Sequence, residues 1–303
     1  MTEREKWDVL CEAMQGRYPV LASVWQLAEE RFGPAWLPEC IRNIERLYGP
    51  VGVPMSDDLS EMLDGYAEFA NDSMRSQVYY ERTGRYKASS YEEVRASCYW
   101  NEEHMTRRYL PGMYVSHYIW PQHYHMLRGF IHGILPRVRA SRLFFEVGVG
   151  CGVYSRAALE HLPHVRGVAF DISAHALRFS GQVVEASGSG DRYRLEQRDI
   201  KDGYHEAADF LICQEVLEHL ENPGEFCVWL RELVKPGGWT YITAALNAAH
   251  SDHIFLFHEP SELEAMLRQA GLQPYHLQEE CAAGTKPRRL TPSLAGYLCQ
   301  RPR

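Results

Sequence analysis

The segment that most constrains this chain is Phe145-Glu-Val-Gly-Val-Gly-Cys-Gly-Val-Tyr154. The apolar stretch Leu143-Phe-Phe-Glu-Val147 reads as a buried strand, and residues 154–161 read as a helix. Between them lie Gly148, Gly150 and Gly152. Glycines permit a tight turn and let backbone N–H groups come close to a ligand. Structural turns produce such patterns too, so spacing must decide. Val168-Ala-Phe-Asp171 ends the next apolar strand in an acid, 19 residues beyond Gly152. A carboxylate there can accept from both hydroxyls of a ribose; it could instead cap the helix that starts from Ser173. Arg198-Asp199-Ile200 closes a third strand. Asp199 can accept from an adenine amino group while Ile200 packs on the ring, although Asp199 would also suit a turn.

The pattern from residue 141 onward alternates strand and helix. Apolar runs at 143–147, 165–170, 193–197, 209–213 and 239–244 read as strands. Helices are expected over 154–161 and 174–187. Another should start at Pro223 with Asn222 as cap, and one more from a Ser261–Glu264 capping box. Such alternation predicts a mostly parallel sheet with helices on both faces. Residues 1–140 are patterned as helices instead. Ser56 caps one with Asp57 and Asp58 in its first turn, and Ser90 opens a second. A third starts near Ser116, has Pro121 in its first turn and stops at Pro136. The chain therefore divides into a helical cap or substrate region, 1–140, and a cofactor domain, 141–303.

Residues 146–152, Asp171, Asp199-Ile200, Gln214-Glu-Val-Leu-Glu-His219 and Leu233-Val-Lys-Pro-Gly-Gly238 together resemble the class I S-adenosylmethionine (SAM)-dependent methyltransferases. The likeness is to the small-molecule branch with a Glu-Val-Leu-Glu-His segment after the fourth strand. It covers residues 141–303 and implies a Rossmann-like α/β sheet carrying an N-terminal helical cap. It also implies roles. Glu146, Gly148, Gly150 and Gly152 would lie under the methionine portion of SAM. Asp171, with Ile172 beside it, would hold the ribose. Asp199 and Ile200 would hold adenine, and Gln214 would floor the methionine arm. The implied reaction is methylation of a small molecule at O, N or C. Two alternatives stay open: an enzyme that transfers or cyclises the aminocarboxypropyl arm, releasing methylthioadenosine, and a non-catalytic SAM-binding interaction protein. A nicotinamide or flavin dehydrogenase is set aside, because its fingerprint needs a glycine three residues after Gly150.

Methyl transfer from a sulfonium is an in-line displacement that needs collinear atoms and a dry site. A base is required only where the acceptor holds a proton. Aromatics are dense between Tyr79 and Tyr124 and would either enclose a substrate or form a core. Tyr118 is expected to face the sulfonium, since a helix start at Ser116 would splay its side chain away from the apolar stripe. His117 and His219 join it as catalytic candidates, although His219 could equally be a structural hydrogen-bonder. Trp120, His123, Asn247 and His253 are expected to touch the substrate. His250, His253 and His258 have no acid at a zincin spacing, so no metal is expected.

Thirty-two basic against 40 acidic residues give a net charge of −8. With no long Lys/Arg run, a nucleic-acid partner is not expected. The Lys286-Pro-Arg-Arg289 cluster reads as a solvated loop. Eight scattered cysteines without a CxxC pair suit free thiols in a reducing cytosol. Nothing resembles a secretory signal or a ~20-residue apolar span. The expectation is a cytoplasmic protein with a small-molecule partner and no membrane; a homo-oligomer stays open.

Overall fold

A computed structural model describes residues 1–282 and 287–303; Lys286 of the basic cluster lies outside them. The strands are β1 (Leu143–Val147), β2 (Arg166–Asp171), β3 (Tyr193–Gln197), β4 (Ala208–Cys213), β5 (Val234–Leu246), β6 (Gln273–Cys281) and β7 (Ser293–Gln300). They form one sheet in the order β3-β2-β1-β4-β5-β7-β6. The β1–β5 pairings are parallel, and β7 runs antiparallel between β5 and β6. All five residues of β1 are buried, as a strand covered on both faces requires.

Successive side chains feed opposite cores. Phe144, Phe210 and Tyr241 meet the helices Val153–His161 and Ala174–Glu185 and the segment 121–138. Phe145, Leu211 and Ile242 meet the helices Pro223–Glu232 and Pro260–Gln269. The first of these cores runs on without a break into the N-terminal helices. There Trp7 stacks on Trp25 at 5.1 Å and meets Trp36 edge-on at 4.9 Å. Among the described residues no helix is long and apolar enough to cross a membrane.

Local signals in the sequence had mixed outcomes. Ser56 caps Asp57–Thr83 by accepting from the Leu59 N–H at 3.3 Å. Asn222 makes no side-chain cap; its Nδ2 donates to Glu225 instead. The Ser261 box is absent because Pro260 takes the first helical position, and Glu262 accepts from the His258 N–H. The Lys-Pro-Gly-Gly turn is carried inside β5, where a register shift opposite Ala208 and Phe210 accommodates it. The third cap helix departs most. Leu110–Ile119 ends where Trp120 adopts φ −90°, ψ 129°, and Pro121–Gly129 begins anew. Ser116 thus sits in a last turn, with its hydroxyl donating to the Met113 carbonyl.

Candidate functional site

A cavity of about 720 Å³ opens where β1, β2 and β4 hand over to their loops. This is the end of an open parallel sheet where ligands bind. Gly148 and Gly150 form its floor with φ of +69° and +50°, a region that disfavours a Cβ. A Cβ on Gly150 would also lie 3.1 Å from the Met113 sulfur. Gly152 does not line the cavity. It has φ +73° and a Cβ there would run into Ser180, so its smallness serves helix packing, a correction to its assigned place under the cofactor.

Asp171 closes β2 with both carboxylate oxygens engaged, accepting from the Ser173 N–H at 2.8 Å and the Gly150 N–H at 3.4 Å. The helix cap is Ser173, which accepts from the Ala176 N–H, so Asp171 is not spent on that task. Burial raises the Asp171 carboxyl to about 6. Glu146 accepts from the Ser155 hydroxyl, and burial pushes it up to about 8. Asp199 accepts from the Lys201 N–H and pairs with its ammonium at 2.8 Å, while Ile200 is buried on the cavity wall and Ile172 stands exposed at its rim. Gln214 accepts from Thr243, but its amide nitrogen is buried without a partner among the described residues. That unpaired donor, together with the Cβ-free turn, is what a cofactor with a polar methionine arm would fit.

The other half of the cavity is walled by helices. His117, Trp120, His123, His219 and His253 all line it. Tyr118 does not. Its ring is fully buried against Tyr114, 5.5 Å away, and the cation over its face is Arg156 at 5.9 Å. The expected splay fails because Tyr118 lies in the last turn of a helix, not the first. Asn247 is likewise buried outside the cavity. At φ 51° it clasps the loop after β5, accepting from Tyr80 at 2.9 Å and donating to the His258 carbonyl at 2.8 Å.

Hydrogen bonds assign the histidine protons. The Nδ1 atoms of His117 and His253 face the carbonyls of Met113 and Ala248, both at 2.8 Å, so Nδ1 carries the proton and Nε2 keeps its lone pair. Burial lowers His117 to about 4 and His253 to about 3. His219 Nδ1 meets the Asp252 carbonyl at 3.1 Å and the Tyr99 hydroxyl at 2.9 Å. The ligand atoms of Glu218, His219 and His253 lie within 4.8 Å of one another and could hold a metal ion, which the spacing did not suggest. His250 and His258 stand apart, on Asp252 and Asn247.

Two acids were missed. Glu215 is a non-glycine residue at φ 50°, a conformation that clusters at functional sites. Its carboxylate lines the cavity, and burial raises it to about 7. Its position beside Gln214 was the available signal. Asp252 is fully buried, bound by His250 Nδ1 at 2.8 Å and the Tyr99 hydroxyl at 3.1 Å. Burial opposes its charge, but His219 and His250 outweigh that and hold it well below the usual carboxylate range. It sits in the sequence between two histidines.

Residues 145–240 match the model of the family described as a methyltransferase domain. The ubiquinone biosynthesis O-methyltransferase of Thiobacillus denitrificans is 28% identical over 46% of this chain and 67% of its own length. That of Nitrosospira multiformis is 30% identical over 44% of this chain and 63% of its own. Such alignments span no more than about two thirds of those relatives. Human N-acetylserotonin methyltransferase superposes with a TM-score of 0.58 at 14% identity, covering 86% of this chain and 74% of that one. An O-methyltransferase family protein from Burkholderia thailandensis gives 0.54 at 16% identity, covering 86% and 76%. Those two share the fold. The methyltransferase-domain match over residues 145–240 and these likenesses support a class I SAM-dependent methyltransferase.

Proposed function

We propose that this protein transfers the SAM methyl group to an O, N or C atom of a small molecule, with residues 1–140 supplying the substrate walls. The observation that carries this reading is one shared cavity. Gly150, Asp171 and Gln214 open onto the same space as Trp120, His123 and His253. SAM supplies a methyl group on a positively charged sulfur. On this reading Asp171 accepts from the ribose hydroxyls, Asp199 from the adenine amino group, and Gln214 Nε2 donates to the methionine arm. Trp120 and Phe69 keep water out, which favours a collinear attack. Where the acceptor holds a proton, Glu215, which lines the cavity and which burial raises to about 7, is the base suited to take it at neutral pH. A net charge of −8 and the relatives' small-molecule names support a small acceptor over a nucleic acid. The test is incubation with labelled SAM and cell extract, followed by separation of the nucleoside products. S-adenosylhomocysteine is expected; methylthioadenosine would show transfer of the aminocarboxypropyl arm instead.

One observation favours a metal-assisted variant. Glu218 is fully buried, its Oε2 has no hydrogen-bond partner among the described residues, and burial holds the group well above its usual range. Together with His219 and His253 it would bind a divalent cation, which would lower the pKa of an acceptor hydroxyl. Asp252 and the Ala248 carbonyl already orient the two imidazoles, as supports of metal-binding histidines do. Chelation should abolish turnover and added Mg²⁺, Mn²⁺ or Zn²⁺ restore it; activity unchanged by chelator would remove the variant.

A further inference from the structure

Among the described residues, the acceptor half of the cavity holds no Lys or Arg to pair with an anion. Two helical stripes wall it at a spacing of four residues. Phe69, Ser73 and Gln77 come from Asp57–Thr83, and Met105, Tyr109 and Met113 come from the segment that follows. The Phe69 ring lies 5.3 Å from Trp120, 5.7 Å from Tyr109 and 4.9 Å from His250, so several aromatic faces converge. Arg198 is the sole Lys or Arg among the described residues that line the cavity, and it belongs to the cofactor side. There it donates to the Gly203 carbonyl and lies 5.5 Å from the Tyr204 ring.

Four carboxylates line the same space: Glu146, Asp171, Asp199 and Glu215. Burial depresses His117, His123 and His253, so they are uncharged at neutral pH. His250 retains a raised pKa, but its two nitrogens already face Asp252 at 2.8 Å and Asp72 at 3.2 Å. The Glu218 carboxylate, with Glu215 near enough to raise it, would offset the charge of a divalent ion held by Glu218, His219 and His253.

Resting on the methyl-transfer reading, we propose that the acceptor is a flat aromatic compound carrying no carboxylate, phosphate or sulfate. A planar ring gains from the converging faces. An acid group would lose its hydration there and find no cation in return. Any such group on a precursor must therefore be esterified, amidated or removed by an earlier step.

The test works whatever the natural substrate is. Methyl esters of hydroxybenzoic, hydroxynaphthoic and hydroxycinnamic acids are compared with the parent acids by calorimetry at neutral pH, on protein loaded with S-adenosylhomocysteine. Esters should bind about tenfold or more tightly than the acids, reflecting the uncompensated buried charge. Ser73→Lys, which adds an ammonium to the wall, should erase or invert that ratio while SAM affinity stays at the wild-type level. Acids binding as well as esters, no ester binding at all, or an unchanged ratio in Ser73→Lys would overturn the proposal. A SAM titration of the same wild-type sample separates this failure from that of the methyl-transfer reading, which requires SAM to bind.

Discussion

The two halves of the cavity are made from different kinds of sequence. The cofactor half comes from backbone turns that follow β1, β2, β3 and β4 within a few residues, where Gly150, Asp171, Asp199 and Gln214 stand. The acceptor half comes from side chains such as Phe69, Tyr109 and Trp120, brought together by helix packing. A backbone cradle tolerates almost no change at its closest approach, whereas a side-chain wall can be trimmed without collapsing the cradle beside it. That difference predicts separable effects of mutation.

The largest effect should come from Gly150→Val. A branched Cβ at φ +50°, facing the Met113 sulfur at 3.1 Å, closes the floor of the cradle. Calorimetry should detect no SAM binding by a variant whose circular dichroism remains native. Normal binding would place the cofactor elsewhere. Asp171→Ala comes next. Losing two charge-assisted hydrogen bonds of about 1.5–3 kcal/mol each should weaken SAM at least tenfold. Because burial raises Asp171 to about 6, wild-type affinity should also fall as pH drops through that value, when the carboxyl protonates and stops accepting. The variant should lack that dependence.

This contrast also sets what could be read from the sequence. The parallel part of the sheet was legible from the alternation of strands and helices, and Asp171 and Asp199 could be singled out because each lies at a fixed offset from a strand end, a local constraint. The β6 and β7 pair was not marked, since half-exposed β6 lacks a continuous apolar run and β7 takes its place by pairing on both sides, with β5 and β6. Tyr118 was misplaced because a helix end at Trp120 looks like a helix start when Ser116 and Pro121 are read alone. Phe69 lies on the helix that Ser56 opens, yet nothing local separates a helix face turned to a core from one that lines a cavity. Glu215 stood in plain view, but its φ of 50° is visible only in three dimensions.

Trp120→Ala sharpens the comparison from the other side. It should leave SAM affinity within about twofold, yet lower kcat/KM for the acceptor by about tenfold or more, as loss of a large aromatic wall implies. Steady-state kinetics under saturating SAM reads this directly.

Glu146 offers a smaller, pH-linked effect on stability. Its pKa rises from 4.5 to about 8 on folding, with burial the main cause. Between those values the unfolded chain gives up the proton and the folded one keeps it, so this group's contribution to stability falls as pH rises. Thermal melts of Glu146→Gln across that window should show a shallower decline than wild type. The smallest effect belongs to Tyr118→Phe. The hydroxyl is buried without a hydrogen-bond partner among the described residues, so its removal should leave SAM affinity, turnover and stability within experimental error. Tyr118→Ala, by contrast, should cost roughly 3–5 kcal/mol in denaturant unfolding, because the ring is core.

The central claim is that one cavity holds a backbone cradle for SAM and an independent side-chain wall for the acceptor. Titrating SAM into Asp171→Ala and Trp120→Ala side by side tests it most directly. The account predicts at least tenfold weaker binding in Asp171→Ala and wild-type binding in Trp120→Ala. Equal losses in both variants would contradict it, because the wall would then be part of the cofactor site.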